Sequence, residues 1–267
     1  MEKKKPIGIF DSGVGGLSIA RSIRRELPCE DLLYVADQGF YPYGSKPKQV
    51  IEQRSARVAD FLSEQGCKAI VVACNTATVN AIESLRAKLK IPVVGVEPGI
   101  KPAALHSKTG VIGVLATEQT LKSRSFQSLK AKFSGQVEVE MQACPRLVEL
   151  VEAVNLDSDE TTEVVENYVR PLLSKGADHI VLGCTHFSFL SPVIERAVDG
   201  RATLIDTASP VAKELKRRLA QVDLLHSRAA GGDIKFWSSN ASRQATESIS
   251  RLWGASVSVS EIWKMNP

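Results

Sequence analysis

An internal repeat restricts the fold of this chain more than any other feature of its sequence. Residues 66–74 (GCKAIVVAC) align without gaps with residues 176–184 (GADHIVLGC), and four of these nine positions are identical, the final cysteine among them. Upstream, residues 7–12 (IGIFDS) match residues 112–117 (IGVLAT). Two matches in the same order favour duplication over chance similarity between buried strands. The chain is therefore predicted to form two similar lobes that face each other across a cleft.

Short runs of β-branched residues alternate with longer helical patterns along most of the chain. Apolar residues recur at helical spacing within residues 50–62 and 147–154, and Gly66 and Gly176 are predicted to end helices in the left-handed conformation. Several strands are apolar on both faces, as buried parallel strands are. The predicted strands are 7–10, 32–35, 69–73, 93–96, 111–115, 137–141, 180–183 and 203–205. This alternation predicts an α/β fold with parallel sheets.

Composition and charge exclude several classes of protein. Of the 267 residues, 43% are hydrophobic and 24% are charged, which is typical of a globular chain and not of a disordered or coiled-coil one. The apolar stretch 7–10 is interrupted by Asp11, so no export segment is expected, and no apolar run approaches the roughly 20 residues of a membrane span. The net charge of +4 is spread over helical stretches, which argues against a nucleic-acid surface. Five cysteines without disulfide spacing predict free thiols in the cytoplasm.

Two cysteines are placed for chemistry. In open parallel sheets, ligands bind beyond the carboxyl ends of the strands, where Asp11, Cys74, Thr117 and Cys184 are expected. Residues 75–78 after Cys74 have the composition of a helix start, and a helix N-terminus lowers the pKa of a thiol from about 8.5 toward neutrality. The three remaining cysteines are predicted to be small buried hydrophobes, namely Cys29, Cys67 and Cys144.

Other readings of these motifs are weaker. Residues 13–16 have the glycines of a dinucleotide loop, but the spacing ends at Ser18 instead of glycine or alanine, and residues 39–46 lack the Gly-Lys-Ser/Thr of a P-loop. Zinc bound by the two thiols, Asp11 and His186 is a competitor that lacks a C-x-x-C pair. A Cys–His thiol hydrolase would leave the second cysteine unexplained.

Two matching thiols suit inversion of a stereocentre. If a substrate carbon lies between them, one thiolate removes a proton from one face while the opposite thiol supplies a proton to the other. Such acid/base pairs need both protonation states to be populated near neutral pH, and thiols meet that requirement.

Four motifs in order give the sequence a family resemblance. Residues 11–16 (DSGVGG), 42–44 (PYG), 73–77 (ACNTA) and 183–187 (GCTHF) resemble those of the glutamate racemases, in the cofactor-independent aspartate/glutamate racemase superfamily, and the likeness runs from about residue 6 to 210. The resemblance implies two pseudo-symmetric α/β domains with mainly parallel central sheets and an active site in the cleft between them. It implies a first domain of residues 1–97 plus 208–267, completed by the C-terminal segment crossing back, and a second of residues 98–207. The implied reaction interconverts L- and D-glutamate without pyridoxal phosphate, metal or another cofactor, and supplies D-glutamate for bacterial peptidoglycan.

The resemblance also implies roles for individual residues. Cys74 would take the α-proton of D-glutamate with help from Asp11, and Cys184 that of L-glutamate with help from His186. Glu152 resembles an acid that supports the histidine, although an exposed position on a helix is an equal alternative. Backbone N–H groups at helix N-termini can bind carboxylates, so no arginine is required to hold the substrate. The implied substrate-binding residues are Asp11, Ser12, Tyr43, Gly44, Asn75, Thr76, Thr185 and His186, with Thr117 a weaker candidate.

Some questions stay open at this point. Ser188 stands where the family often has proline, and residues 236–267, with Trp237, Trp253 and Trp263, carry no motif and are predicted to be packing surface.

The alternative functions are those of an aspartate or broader amino-acid racemase and of a non-catalytic two-lobed protein that binds a ligand or metal. The expected partner is the small-molecule substrate, with neither nucleic acid nor membrane, and a homodimer is possible.

Overall fold

The molecule is built on two parallel β-sheets. The computed structural model describes residues 2–226 and 231–262. Within them, the first sheet has the strand order β10-β9-β2-β1-β3-β4 and the second has the order β6-β5-β7-β8. The strands are β1 (Ile7–Asp11), β2 (Leu32–Ala36), β3 (Ala69–Val72), β4 (Val93–Gly95), β5 (Val111–Ala116), β6 (Glu138–Ala143), β7 (His179–Gly183), β8 (Thr203–Ile205), β9 (Ile234–Ser238) and β10 (Val259–Glu261). The predicted α/β class and all eight predicted strands are confirmed, with ends that differ by no more than two residues.

The strand registers agree with the internal repeat. In the first sheet Ile7 pairs with Ala69, and in the second Ile112 pairs with His179. These are the positions that the sequence alignment makes equivalent. The order β2-β1-β3-β4 is also repeated as β6-β5-β7-β8. The two lobes are therefore copies of one parallel unit.

Helices connect the strands and cover the sheets. Gly66 and Gly176 have φ values of +74° and +88°, which confirms the two left-handed helix ends. The predicted helix over 147–154 is too long, because α7 ends at Glu152 and Val154 has a φ of 54°. No helix among the described residues is both long and apolar enough to cross a membrane. The helices are α1 (Leu17–Glu26), α2 (Lys48–Glu64), α3 (Asn75–Lys88), α4 (Ile100–His106), α5 (Glu118–Lys122), α6 (Arg124–Phe133), α7 (Pro145–Glu152), α8 (Asp159–Ser174), α9 (Ser191–Val198), α10 (Ala208–Gln221) and α11 (Arg243–Trp253).

The C-terminal segment is more than the packing surface that the sequence predicted. Strand β9 pairs with β2 and β10 pairs with β9, so the segment adds two strands to the first sheet. The ring of Trp237 lies 5.2 Å from that of Phe61, and Trp253 lies 5.4 Å from Phe236. Trp263 lies outside the described residues. Strand β9 is five residues long and pairs with a strand about 200 residues away, a long-range partner that no local pattern reveals.

The strand assignment bears on the domain bounds. The first sheet takes its strands from both ends of the described chain, and β5–β8 of the second sheet lie between them in sequence. The bounds at residues 97, 98, 207 and 208 stay a prediction.

Candidate active site

Cys74 follows β3 and caps the N-terminus of α3. Its Sγ accepts a hydrogen bond from the backbone N–H of Ala77 at 3.4 Å and lies 3.5 Å from the Ser12 hydroxyl. The pKa of Cys74 is raised to about 12, mainly by burial and to a smaller extent by the negative charge of Asp11. The hydrogen bonds with Ser12 and Ala77 lower this pKa but do not outweigh the two causes that raise it. The predicted lowering of this pKa is therefore wrong, because desolvation of the thiolate outweighs the stabilising effect of the helix N-terminus.

Cys184 follows β7 at the equivalent position but begins a 3₁₀ helix, Thr185–Leu190, in place of an α-helix. Its Sγ lies 3.6 Å from Nδ1 of His186, and the opposite ring nitrogen, Nε2, lies 2.8 Å from Oε1 of Glu152. Burial lowers the pKa of His186, but its hydrogen bonds to Cys184 and Glu152 outweigh this and hold the pKa well above its ordinary value. The imidazole is thus placed to carry a positive charge beside the thiol.

Asp11 lies at the end of β1 and is fully buried. Its carboxylate accepts hydrogen bonds from the Gly13 N–H at 2.9 Å and from the Thr185 hydroxyl at 3.0 Å, and burial raises the pKa of Asp11. Within the described residues it makes no hydrogen bond to Cys74. The first lobe therefore supports the Cys184 loop of the second lobe, and an influence of Asp11 on Cys74 is electrostatic.

Glu152 is held by the glycine-rich loop of the first lobe. Its Oε1 accepts a hydrogen bond from the Val14 N–H at 2.8 Å as well as contacting His186. A Cβ on Gly13 would overlap Glu152 Oε1, and one on Gly15 would overlap His186 Nδ1. The glycines of the 11–16 motif thus let the backbone approach the Glu152–His186 pair closely.

A cavity of about 180 Å³ lies between the lobes. Both thiols line it, although Asp11 and Glu152 do not. Asn75 is buried on this wall, and neither its Nδ2 nor its Oδ1 has a hydrogen-bond partner among the described residues. A buried amide without partners is costly, so these atoms are available to a polar ligand. The lining residues that the sequence singled out are Ser12, Tyr43, Gly44, Cys74, Asn75, Thr76, Thr117, Cys184, Thr185 and His186.

Threonine hydroxyls also join the lobes at this cavity. The Oγ1 of Thr76, on α3, lies 2.9 Å from that of Thr117 and 3.2 Å from that of Thr120, which belong to the second lobe. Thr117 additionally caps α5 by accepting a hydrogen bond from the Thr120 N–H. Thr117 therefore belongs to the cavity wall.

A buried network that no sequence motif indicated lies behind Tyr43. The Tyr43 hydroxyl donates to Asp37 Oδ2 at 2.5 Å, and Arg54 donates to both oxygens of the same carboxylate, at 3.1 and 2.7 Å. Asp37 directly follows β2. The rule that pointed to Asp11, a polar residue at the carboxyl end of a strand, could have found Asp37. Arg54 offered no such signal, since it lies within a helical pattern.

The zinc alternative gains no support from the side-chain arrangement. Across residues 2–226 and 231–262, no group of three or more His, Cys, Asp or Glu side chains could hold a metal ion. Both ring nitrogens of His186 already have partners, Cys184 and Glu152.

Comparisons with known proteins agree with this geometry. The family model described as Asp/Glu/Hydantoin racemase matches residues 13–215. The glutamate racemase of Methylococcus capsulatus is 52% identical to this chain over 93% of it and 92% of the relative's own length. A glutamate racemase of Pseudomonas putida is 47% identical over 98% of each chain.

Solved structures give the same result. The Escherichia coli glutamate racemase in complex with L-glutamate and an activator superposes with a TM-score of 0.84 at 32% identity, covering 96% of this chain and 97% of the other. The Francisella tularensis glutamate racemase in complex with D-glutamate has a TM-score of 0.85 at 28% identity, with 97% of each chain covered. The chain therefore belongs to the glutamate racemase family, within the Asp/Glu/hydantoin racemases.

Proposed function

We propose that this chain interconverts L-glutamate and D-glutamate, with Cys74 and Cys184 as the two acid/base groups on opposite faces of the α-carbon. The observation that carries this proposal is the placement of the two thiols. They follow equivalent strands of duplicated lobes and line one cavity. A substrate carbon held between them would have one sulfur on each face.

Each direction of the reaction is one proton removal followed by one proton addition. With D-glutamate, the Cys74 thiolate forms an S–H bond as the Cα–H bond breaks, and the electron pair passes into the α-carboxylate system. The Cys184 thiol then gives its proton to the opposite face and is left as a thiolate. The product is L-glutamate, and the reverse reaction starts from the Cys184 thiolate. No oxidant or reductant is needed.

The surroundings of the two sulfurs supply charge in different ways. Burial is the largest cause of the raised pKa of Cys74, which is about 12. The ammonium group of a bound amino acid would favour its thiolate, because a nearby opposite charge stabilises the charged form. At Cys184, the His186 imidazole supplies positive charge 3.6 Å from the sulfur. Glu152 in turn orients that ring.

The cavity wall supports the substrate-binding roles implied by the family motifs. We place the side-chain carboxylate at Ser12, Tyr43 and Gly44. The Tyr43 hydroxyl is already bonded to Asp37, so this part of the wall would bind through backbone N–H groups and the Ser12 hydroxyl.

The α-carboxylate and amine are placed on the opposite part of the wall. Asn75, Thr76 and Thr185 would bind them, with Thr117 beside Thr76. The unpartnered amide of Asn75 supports this position. Asp11 does not line the cavity, so it would contribute to substrate binding indirectly, by accepting a hydrogen bond from the Thr185 hydroxyl.

We infer the biological setting from the family to which the chain belongs. D-Glutamate supply for bacterial peptidoglycan is the role we infer, with the enzyme in the cytoplasm, where free thiols are kept reduced. The domain bounds of 1–97 plus 208–267 and 98–207, and assembly as a homodimer, stay predictions.

A racemisation assay tests the proposal. Purified protein treated with a chelator should abolish the optical rotation of L-glutamate, and kcat/KM for L-glutamate should exceed that for L-aspartate. A higher kcat/KM for aspartate would overturn the substrate assignment. Absence of turnover with either amino acid would favour a non-catalytic ligand-binding protein.

A further inference from the structure

Glu152 connects the Cys184 side of the cavity to the C-terminal segment of the chain. While Oε1 contacts His186, Oε2 accepts a hydrogen bond from the side-chain amide of Gln38 at 3.3 Å. Gln38 belongs to a short 3₁₀ helix, Gln38–Phe40, that follows β2 in the first lobe. The two oxygens of one carboxylate thus have different partners, so the position of Gln38 affects how the carboxylate is turned.

Strand β9 in turn holds Gln38. Ser238 is fully buried at the end of β9, and its hydroxyl lies 3.1 Å both from Gln38 Oε1 and from the Asn240 carbonyl oxygen, so that it can donate to either. An amide whose oxygen accepts from Ser238 presents its NH₂ group to Glu152. A further contact from the same segment, the Ser248 hydroxyl donating to the Glu152 backbone carbonyl at 3.3 Å, fixes the end of α7. The C-terminal segment therefore contacts Glu152 directly through Ser248 and indirectly through Gln38.

We propose that Gln38 is a positioning residue for the reaction, which holds Glu152 against His186 and is itself oriented by Ser238 of the C-terminal strand. The inference rests on the proposed function, because it assigns Gln38 to the His186–Cys184 side of a two-thiol mechanism. It gives the C-terminal segment a role in catalysis beyond packing. Groups that orient a metal-ligating side chain typically change activity by about 10- to 100-fold when removed, and we expect a comparable effect for a group that orients Glu152 and His186.

Gln38→Leu removes the donor to Glu152 with little change in size. We expect kcat/KM for glutamate to fall by about tenfold in both directions, near the lower end of the range for such orienting groups. The matched control is Gln221→Leu, since Gln221 is an exposed glutamine at the end of α10. It should keep the wild-type value. A Gln38→Leu variant as active as this control would overturn the proposal.

The α-deuterium isotope effect on kcat/KM separates positioning from a general loss of structure. Gln38→Leu should raise the isotope effect with the same enantiomer for which His186→Asn raises it, since both weaken the same side. A pattern that follows Asp11→Asn, or an equal rise with both enantiomers, would contradict the assignment. This criterion holds whichever thiol serves which face.

A second variant guards against misfolding. Gln38→Glu keeps the size and the acceptor for Ser238 but places a like charge against Glu152. It should lose more activity than Gln38→Leu. If Gln38 only filled space, Gln38→Glu should instead keep more activity than Gln38→Leu.

Nuclear magnetic resonance of the His186 ring gives a readout besides activity. The His186 ring resonances, identified by their loss in His186→Asn, should move in Gln38→Leu and stay in place in Gln221→Leu. Unmoved resonances would overturn the proposal. If the wild-type protein failed to racemise glutamate, the proposed function would fail, while this experiment would still decide whether Gln38 acts on His186.

Discussion

The two thiols occupy equivalent positions in a duplicated fold, yet their surroundings are unlike. Cys74 caps an α-helix and contacts a hydroxyl and a backbone N–H. Cys184 precedes a 3₁₀ helix and contacts an imidazole that is backed by Glu152. The duplication therefore repeated the position of the sulfur while the groups around it diverged.

The charged groups near the two sulfurs also differ. The Asp11 carboxylate contributes to the raised pKa of Cys74, after burial. On the other side, the raised pKa of His186 favours a cation next to Cys184. A near-symmetric reaction is thus served by an asymmetric site, which favours a proton on Cys74 and a positive charge beside Cys184.

The support for the Cys184 side comes from the first lobe. Asp11 and the Val14 N–H both belong to the first lobe and bind Thr185 and Glu152 of the second. The Cys184 side is therefore built by residues of both lobes.

Removal of either thiol should have the largest effect. We expect Cys74→Ala and Cys184→Ala each to lower racemisation by about 10²–10⁴-fold, as loss of a positioned acid/base group does. Cys29→Ala, Cys67→Ala and Cys144→Ala should keep most of the activity. Turnover by Cys184→Ala at more than about a tenth of the wild-type rate would show that the two sides are not both required.

A methyl group on the glycine loop should displace Glu152 and thereby slow racemisation. Gly13→Ala would place its Cβ on Glu152 Oε1, so Glu152 must move away from His186. We expect kcat/KM to fall by at least about tenfold, as when a supporting group is lost. Gly135→Ala is the matched control, since nothing lies within 4 Å of its added Cβ. Equal activity of the two variants would show that Glu152 is not needed at its present position.

Thiol reactivity can test the electrostatics of the Cys74 side. Asp11→Asn removes a negative charge that raises the pKa of Cys74, so the pKa should fall and more thiolate should be present at pH 8. Alkylation of Cys74 by iodoacetamide, followed by mass spectrometry, should become about three- to tenfold faster. Cys67 is the internal control, because burial alone raises its pKa to about 12. Slower or unchanged alkylation of Cys74 would remove Asp11 from the account of that side.

The strands and the two thiols of this site could be predicted from the sequence, whereas the contacts between its side chains could not. Duplicated motifs located both thiols and eight strands because buried parallel strands leave a local, repeated pattern. The contacts of Glu152 with Val14 and Gln38 could not be predicted, since they join residues more than 100 positions apart. The pKa of Cys74 was mispredicted for a related reason. Proximity to a helix start is visible in sequence, whereas the degree of burial that opposes it depends on the packing of both lobes.

Isotope effects on two variants test the central claim, one helper for each thiol, most directly. The enantiomers have equal energy in water, so a variant must lose kcat/KM equally in both directions, and rates alone do not distinguish the sides. We therefore compare kcat/KM for each enantiomer with and without α-deuterium, in Asp11→Asn and His186→Asn. In Asp11→Asn the isotope effect should rise with D-glutamate, whose Cα–D bond Cys74 breaks, and stay flat or fall with L-glutamate. His186→Asn should show the reverse, because Cys184 acts on L-glutamate. An equal rise with both enantiomers in both variants would contradict the account.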